Sequence, residues 1–128
     1  MTAKKTTRFR QFAEIASDWL WETDAGHRFT FFAGASGTLD RKPYGVTRWD
    51  LAGADPNDPK WRAHIADLDA HRPIRGFEYT VRAADGGLRY IEVHARPRFD
   101  ESGRFLGYRG ATTDITAARS AEAAEDEP

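Results

Sequence analysis

The sequence predicts an α+β fold, in which one five-stranded antiparallel sheet carries short helices over one face and an amphipathic helix precedes the sheet. Two observations lead to this prediction. Apolar residues recur with helical spacing in two short segments and with a spacing of two residues in five others. The five strand-like segments form a hairpin and a meander joined by turn signals, rather than the alternating strands and helices of a doubly wound α/β fold.

The first predicted element is an amphipathic helix at residues 7–16. Its apolar positions recur at i, i+3, i+4 and i+7, namely Phe9, Phe12, Ala13 and Ala16. This spacing places them on one helical face, which needs a surface to lie on. We therefore expect this helix to cover another part of the domain or to pair with a second copy of it.

A β-hairpin follows this helix. In "WLWET" (19–23) successive side chains alternate between two faces, and "DAG" (24–26) then leads into the aromatic run "RFTFF" (28–32). Residues 34–56 contain many glycines and helix breakers and show no long periodicity. We expect only short helical turns and loops there.

The remaining chain predicts one helix and a three-stranded meander. Asp58 is a favoured N-cap, Pro59 suits the first helical position, and Pro73 stops the helix near residue 72. Three strand-like segments follow at residues 75–83, 88–99 and 104–114. The turn signals "ADGG" (84–87) and "DESG" (100–103) separate them, which favours antiparallel neighbours.

The composition excludes several classes of function. The 128 residues contain no cysteine, which excludes disulfides, thiolate metal sites and thiol nucleophiles. A net charge of −1 gives no overall attraction to nucleic acid. No apolar run approaches the roughly 18 residues of a membrane span, and the first ten residues lack the apolar stretch of a signal peptide, so we expect a cytoplasmic location.

Three segments together resemble a PAS domain with its C-terminal PAC motif. They are "DWLWETDAGHRFTFF", the run from "HRPIRGFEYT" to "GRFLGYRG", and the closing "TTDIT". The resemblance implies an N-terminal helix at residues 1–17, a PAS/PAC core at 18–116, and a linker helix or disordered acidic tail at 117–128. It also implies a sensory, commonly dimeric module attached to an effector such as a histidine kinase or a diguanylate cyclase.

Strand alternation predicts which side chains face a ligand pocket. Tyr79 and Val81 share the apolar face of one strand, and Ile91 and Val93 share that of the next. In the last strand, similarity to the light-oxygen-voltage branch of the family implies that Arg109 points into the pocket. Leu106 and Tyr108 would then point outwards, towards the N-terminal helix or a partner subunit.

An inward Arg109 requires a counter-charge, because a guanidinium cannot discharge by losing its proton. Either an acidic side chain of the protein neutralises it, with Glu22, Asp24 and Asp50 as candidates, or a ligand carboxylate does. The four tryptophans are similarly open to two interpretations, because they could line a pocket for a planar ligand or fill the core.

The residues argue against most cofactors and against catalysis. The light-oxygen-voltage resemblance does not extend to a flavin adduct, since the chain has no cysteine. Haem ligation would depend on His64 alone, which is a weak metal signal, so we expect no metal site and no bound cofactor. Tyr79 and Asp50 could act in a small acid–base enzyme of the curved-sheet type, but no catalytic motif supports that alternative to a sensor or a ligand-free interaction module.

The residues at the end of the last strand predict a junction between the sheet and a following helix. Asp114 and Thr116 are residue types whose side chains accept hydrogen bonds from the first turn of a helix. The segment "AARSAEAAE" (117–125) has high helix propensity, and the resemblance implies that such a helix carries the signal from the sheet to the effector. No strong heptad pattern follows, so the isolated helix is expected to fray.

Overall fold

The computed structural model of the chain describes residues 19–34 and 43–126. Its elements, in chain order, are β1 (Trp19–Thr23), β2 (Phe29–Gly34), α1 (Arg48–Ala52), α2 (Pro59–Asp69), β3 (Ile74–Arg82), β4 (Leu88–Phe99), β5 (Phe105–Asp114) and α3 (Thr116–Asp126). The predicted α+β class and the five-stranded antiparallel sheet are confirmed. The amphipathic helix predicted at residues 7–16 lies outside the described residues.

The strand order is β2-β1-β5-β4-β3, and every neighbouring pair is antiparallel. The strand that comes last along the chain therefore lies in the centre, where it joins the N-terminal hairpin to the C-terminal meander. One sheet results, with β2 and β3 at its edges. The register pairs Trp21 with Gly110 and Ala95 with Gly110, which places these three residues in one row across the sheet.

One face of the sheet is the core of the domain. Tyr79, Val81, Ile91 and Val93 are buried there together with the tryptophans of β1. Helices α1 and α2 cover this inner face and contribute the buried residues Leu51, Trp61 and Leu68. Side chains on the outer face alternate with these and are mostly polar or charged, as expected for a sheet that is covered on one side.

Helix α2 begins as the sequence predicts. The Asp58 side chain accepts a hydrogen bond from the Lys60 backbone N–H at 3.0 Å, and Pro59 occupies the first helical position. The helix ends at Asp69, three residues before the predicted end, and His71 then takes a left-handed backbone conformation with φ of 59°. The helix therefore ends before Pro73, and Pro73 does not set its last residue.

The prediction that the Tyr108 side chain of β5 points outwards is wrong. This side chain is fully buried in the core, with 0% of its surface exposed, whereas Leu106 is 40% exposed. The cause is an irregularity in the pairing of β4 with β5, opposite Gly107. Gly107 has φ of +130°, and a Cβ there would lie 1.9 Å from the Thr23 carbonyl oxygen. Strict alternation is broken at this point, so Phe105 and Tyr108 both pack into the core.

Candidate functional site

Four of the five predicted pocket residues lie together on the inner face. Tyr79 pairs across the strands with Ile91, and Val93 follows on the same face of β4. Val81 is also buried in this cluster. Their positions follow from the alternation of β3 and β4, which have no irregularity between these residues.

The fifth predicted pocket residue, Arg109, lies on the outer face, and the prediction that it points into the pocket is wrong. Its guanidinium donates to Glu22 Oε2 from Nε at 2.9 Å and from an Nη at 2.8 Å. Arg98 approaches the same carboxylate at 3.4 Å. Of the two counter-charges that the sequence left open, the internal carboxylate of Glu22 is the one present. The physical reason is the irregularity at Gly107, which turns Tyr108 inwards and Arg109 outwards.

A different arginine, Arg48, enters the core from α1. Only 4% of its surface is exposed. Its guanidinium carbon lies 4.2 Å from the ring centre of Trp21, 5.1 Å from that of Phe29 and 5.8 Å from that of Tyr79. One Nη donates to the Tyr79 hydroxyl oxygen at 3.3 Å. The inner face therefore holds a positive charge enclosed by three aromatic rings.

The local sequence explains why Arg48 points inwards. Thr47 caps α1 by accepting a hydrogen bond from the Asp50 backbone N–H at 3.3 Å, which fixes the start of the helix. Arg48 and Leu51 are then three residues apart on one helical face, and both are buried. Sequence reasoning missed Arg48 because a helix of five residues has too few positions to show a periodicity.

No carboxylate among the described residues forms an ion pair with Arg48. A single cation–π contact contributes about 2 kcal/mol when it is desolvated. Removing a guanidinium from water costs several kcal/mol, and each of the three rings offsets part of that cost. Among the described residues, the burial of this charge is thus compensated by aromatic faces and one hydroxyl rather than by a carboxylate.

The Tyr79 hydroxyl is the polar neighbour of Arg48. Burial raises the pKa of Tyr79 above its usual value, while the charge and hydrogen bond of Arg48 act in the opposite direction. The phenol therefore remains neutral at physiological pH and accepts a hydrogen bond from Arg48 while keeping its own proton.

His64 is also buried, on the face of α2 that covers the sheet. Its ring stacks on Phe77 with centroids 3.7 Å apart and planes inclined by 4°, and Trp61 contacts it edge-on. Its Nε2 has no hydrogen-bond partner. Burial, and after it the charge of Arg48, lower the pKa of His64 to about 3. His64 is therefore neutral at physiological pH.

The surroundings of His64 do not suit haem. The groove beside it, of about 610 Å³, is lined by charged side chains that include Lys60, Asp67, Arg75 and Glu78. This charged lining differs from the apolar surroundings against which a haem macrocycle packs. Among the described residues, no group of three or more histidine, aspartate or glutamate side chains is arranged to hold a metal ion.

Asp114 and Thr116 lie where β5 passes into α3. The Asp114 carboxylate accepts a hydrogen bond from the Thr116 backbone N–H at 2.9 Å. The Thr116 hydroxyl in turn accepts from the Tyr90 backbone N–H at 2.9 Å, and the Ile115 backbone N–H donates to the Tyr90 carbonyl at 2.8 Å. The first residue of α3 is thus hydrogen-bonded to the neighbouring strand β4.

Helix α3 is also tied to the edge strand of the sheet. Arg119, in its first turn, forms an ion pair with Glu78 of β3. The helix occupies the segment for which the sequence left a linker helix or an acidic tail open. In the part of the chain that the structure describes, no helix is long and apolar enough to cross a membrane.

Comparison with known proteins gives a family and relatives. A family model described as the PAS fold matches residues 18–120. An uncharacterized protein of Sinorhizobium fredii, y4lL, is 28% identical over 119 residues, which make up 90% of this chain but 14% of that protein. The chain therefore spans a small part of the length of this relative.

Two of the solved structures that share the fold illustrate the likeness. The N-terminal domain of a diguanylate cyclase with PAS/PAC sensor from Marinobacter aquaeolei has a TM-score of 0.62 at 18% identity, over 80% of this chain and 98% of that chain. A sensory box histidine kinase/response regulator from Burkholderia thailandensis has a TM-score of 0.54 at 23% identity, over 91% of each chain. At these identities the likeness is one of fold.

Proposed function

Because the chain belongs to the PAS fold family, we propose that it is a cytoplasmic sensory and dimerisation module that regulates an attached effector in signal transduction. Similar domains occur in a diguanylate cyclase and in a sensory box histidine kinase. They support a diguanylate cyclase or a histidine kinase as the class of effector. We propose no catalytic role for Tyr79 and Asp50. The Tyr79 hydroxyl is buried against Arg48, whereas Asp50 is exposed on α1.

The observation that carries this proposal is the attachment of α3 to the sheet. Its first turn is bonded to β4 at Tyr90 and to β3 at Glu78. The next residue along each of these strands, Ile91 and Tyr79, points into the core. If a change at the inner face shifts either strand, the attachment points of α3 therefore move with that strand.

A row of cross-strand neighbours gives this coupling a route. Tyr79 of β3 pairs with Ile91 of β4, and Ile91 pairs with Asp114 of β5. Asp114 in turn holds the first backbone N–H of α3. The row therefore leads from the hydroxyl bound by Arg48 to the helix that would connect to the effector.

A ligand-free interaction module is the second candidate. It is favoured by the density of large rings on the inner face, where Trp21 and Phe29 meet edge-on with centroids 5.7 Å apart and Trp61 contacts Tyr79 at 5.2 Å. In that case the signal would be a partner that binds the outer face, and α3 would still transmit it.

The proposal is tested by fusing the chain to a diguanylate cyclase domain and comparing its output with that of the cyclase domain alone. We expect the fusion to change the output. The double variant Asp114→Ala/Thr116→Ala should restore the level of the free cyclase domain, because both side-chain hydrogen bonds of the junction are lost, with a stability loss of about 1–2 kcal/mol.

Asp55→Ala is the matched control. Asp55 accepts a hydrogen bond from the Asn57 backbone N–H at 2.9 Å, the same i to i+2 arrangement as at Asp114, but in the loop between α1 and α2. This variant should regulate as the wild type does. A fusion with the output of the free cyclase domain would refute the sensory proposal, and full regulation by the double variant would refute the role of the junction.

A further inference from the structure

Arg48 brings a positive charge into the interior of the domain. Its side chain is buried, it cannot lose its proton, and no carboxylate among the described residues pairs with it. Buried charges in proteins are usually paired. By contrast, the outer-face Arg109 already has Glu22 as its counter-charge. Any carboxylate that pairs with Arg48 therefore lies outside the described residues.

We propose that Arg48 is the anchor of a ligand site that takes a small organic carboxylate with an apolar or aromatic body. The guanidinium presents planar N–H donors in a fork that matches a carboxylate. One donor is directed to the Tyr79 hydroxyl, and the fork has five. The rings of Trp21, Phe29 and Tyr79 that surround the guanidinium are apolar walls, which suit an organic body better than a hydrated inorganic anion.

A second unpartnered polar atom lies in the same aromatic cluster. His64 Nε2 is buried without a hydrogen-bond partner. The ring of Trp61 contacts both His64, at 5.8 Å, and Tyr79, at 5.2 Å, so His64 and the Tyr79–Arg48 pair flank one indole. A polar group on the body of the ligand would satisfy this nitrogen. Arg48 is the group that selects the carboxylate.

Occupation of this site would act on the row that leads to α3. A carboxylate bound to the guanidinium would reposition it and so disturb its hydrogen bond to the Tyr79 hydroxyl. Tyr79 pairs with Ile91, which pairs with Asp114 at the start of the junction. The inference rests on the proposed sensory function, but its test measures binding by the chain alone. A failure to bind is therefore distinguishable from a failure to regulate.

The test is calorimetric titration and thermal melting of the whole chain with phenylacetate, indole-3-acetate and hexanoate, each against its neutral amide, in buffer without added chloride. We expect at least one carboxylate to bind and to raise the melting temperature. Its amide should bind at least about tenfold more weakly, because the charge-assisted hydrogen bonds to Arg48 are lost. Arg48→Met should weaken carboxylate binding by a similar factor, and the exposed Arg96→Gln should bind as the wild type does.

Arg48→Lys is a second variant, which keeps the charge but removes the planar fork, and it should also bind more weakly. If Arg48→Met does not fold, the comparison of acid with amide on the wild type decides alone. The proposal is overturned if no carboxylate binds at up to about 10 mM, above the range of specific affinities. It is also overturned if an amide binds as tightly as its acid, if folded Arg48→Met binds equally well, or if chloride alone stabilises the wild type as much.

Discussion

His64 and Arg48 show how one interior treats two cationic residue types differently. Both are 4% exposed, and each is in contact with aromatic rings. The imidazole avoids the cost of a buried charge by remaining neutral, whereas the guanidinium cannot. A positive charge nearby strengthens this difference, because Arg48 further disfavours protonation of His64.

This arrangement predicts a loss of stability in acid that depends on His64. The unfolded chain binds a proton at His64 near pH 6.5, but the folded chain binds it only near pH 3. Between these values the unfolded state holds more protons, so the free energy of unfolding falls as the pH falls. The slope from this group approaches about 1.4 kcal/mol per pH unit.

The measurement is urea unfolding of the wild type and His64→Phe between pH 7 and pH 4. The phenyl ring keeps the stack on Phe77 but does not titrate, so the stability of this variant should depend less steeply on pH. His94→Gln is the control, because His94 is exposed on the outer face. Equal slopes for the wild type and His64→Phe would show that His64 titrates alike in both states.

At the scale of single elements, Tyr108 attaches α2 to the sheet. Its hydroxyl donates to the Arg72 carbonyl at 2.7 Å, just beyond the end of the helix, and lies near the carbonyls of Asp67 and Leu68. Burial, and after it the charges of Asp67 and Asp69, raise the pKa of Tyr108 to about 12, so it keeps its proton as a donor. The strand β5 thus supplies a hydrogen-bond donor to the carbonyl end of α2.

Tyr108→Phe is therefore expected to lower the free energy of unfolding by about 1–2 kcal/mol, the cost of leaving the part-buried Arg72 carbonyl without its donor. Tyr44→Phe is the matched control. Its hydroxyl donates to the Phe32 carbonyl at 3.2 Å in an exposed position, and its loss should cost about 0.5 kcal/mol or less. Chemical denaturation measures both, and equal effects would contradict the role of Tyr108 in holding α2.

The sequence predicts those features of these elements that depend on neighbouring residues, and it does not predict those that depend on contacts with distant residues. The faces of β3 and β4 follow from alternation, since no irregularity falls between Phe77 and Val81. In β5 the alternation fails at Gly107, because the backbone there packs against the Thr23 carbonyl of another strand. The residues around Gly107 in the sequence do not predict that contact. The same holds for Arg48, whose inward orientation depends on a one-turn helix between loops.

At the scale of the whole molecule, self-association remains a prediction. The sequence places Phe9 and Phe12 on an apolar helical face at residues 7–16, outside the described residues. Of the two residues that were expected to receive it, Leu106 is exposed and Tyr108 is buried. We expect light scattering to give a dimer for the wild type, paired isologously, and a monomer for Phe9→Asp/Phe12→Asp. A monomeric wild type, or an unchanged mass in the variant, would contradict this.

The ion pair of Arg119 with Glu78 should contribute more to the coupling between the sheet and the effector than to the stability of the domain. Both side chains are partly exposed, and such a pair contributes about 1 kcal/mol or less to folding. The pair nevertheless joins α3 to the edge strand whose inner face carries Tyr79. In the cyclase fusion, Arg119→Glu should therefore reduce regulation while the unfolding free energy changes little. The charge swap Glu78→Arg/Arg119→Glu should restore regulation, because the attraction is re-formed with its sign reversed.

Arg89→Ala serves as the control for this last prediction. It removes an ion pair at 3.5 Å between Arg89, at the start of β4, and Asp85 in the preceding turn, neither of which belongs to α3. Its fusion should regulate normally. If Arg119→Glu regulates as the wild type does, the signal does not pass through the β3 attachment. The hydrogen bond from the Tyr90 N–H to the Thr116 hydroxyl is another link between sheet and helix among the described residues. If the swap fails to restore the regulation that Arg119→Glu loses, the role of Arg119 does not depend on its ion pair with Glu78.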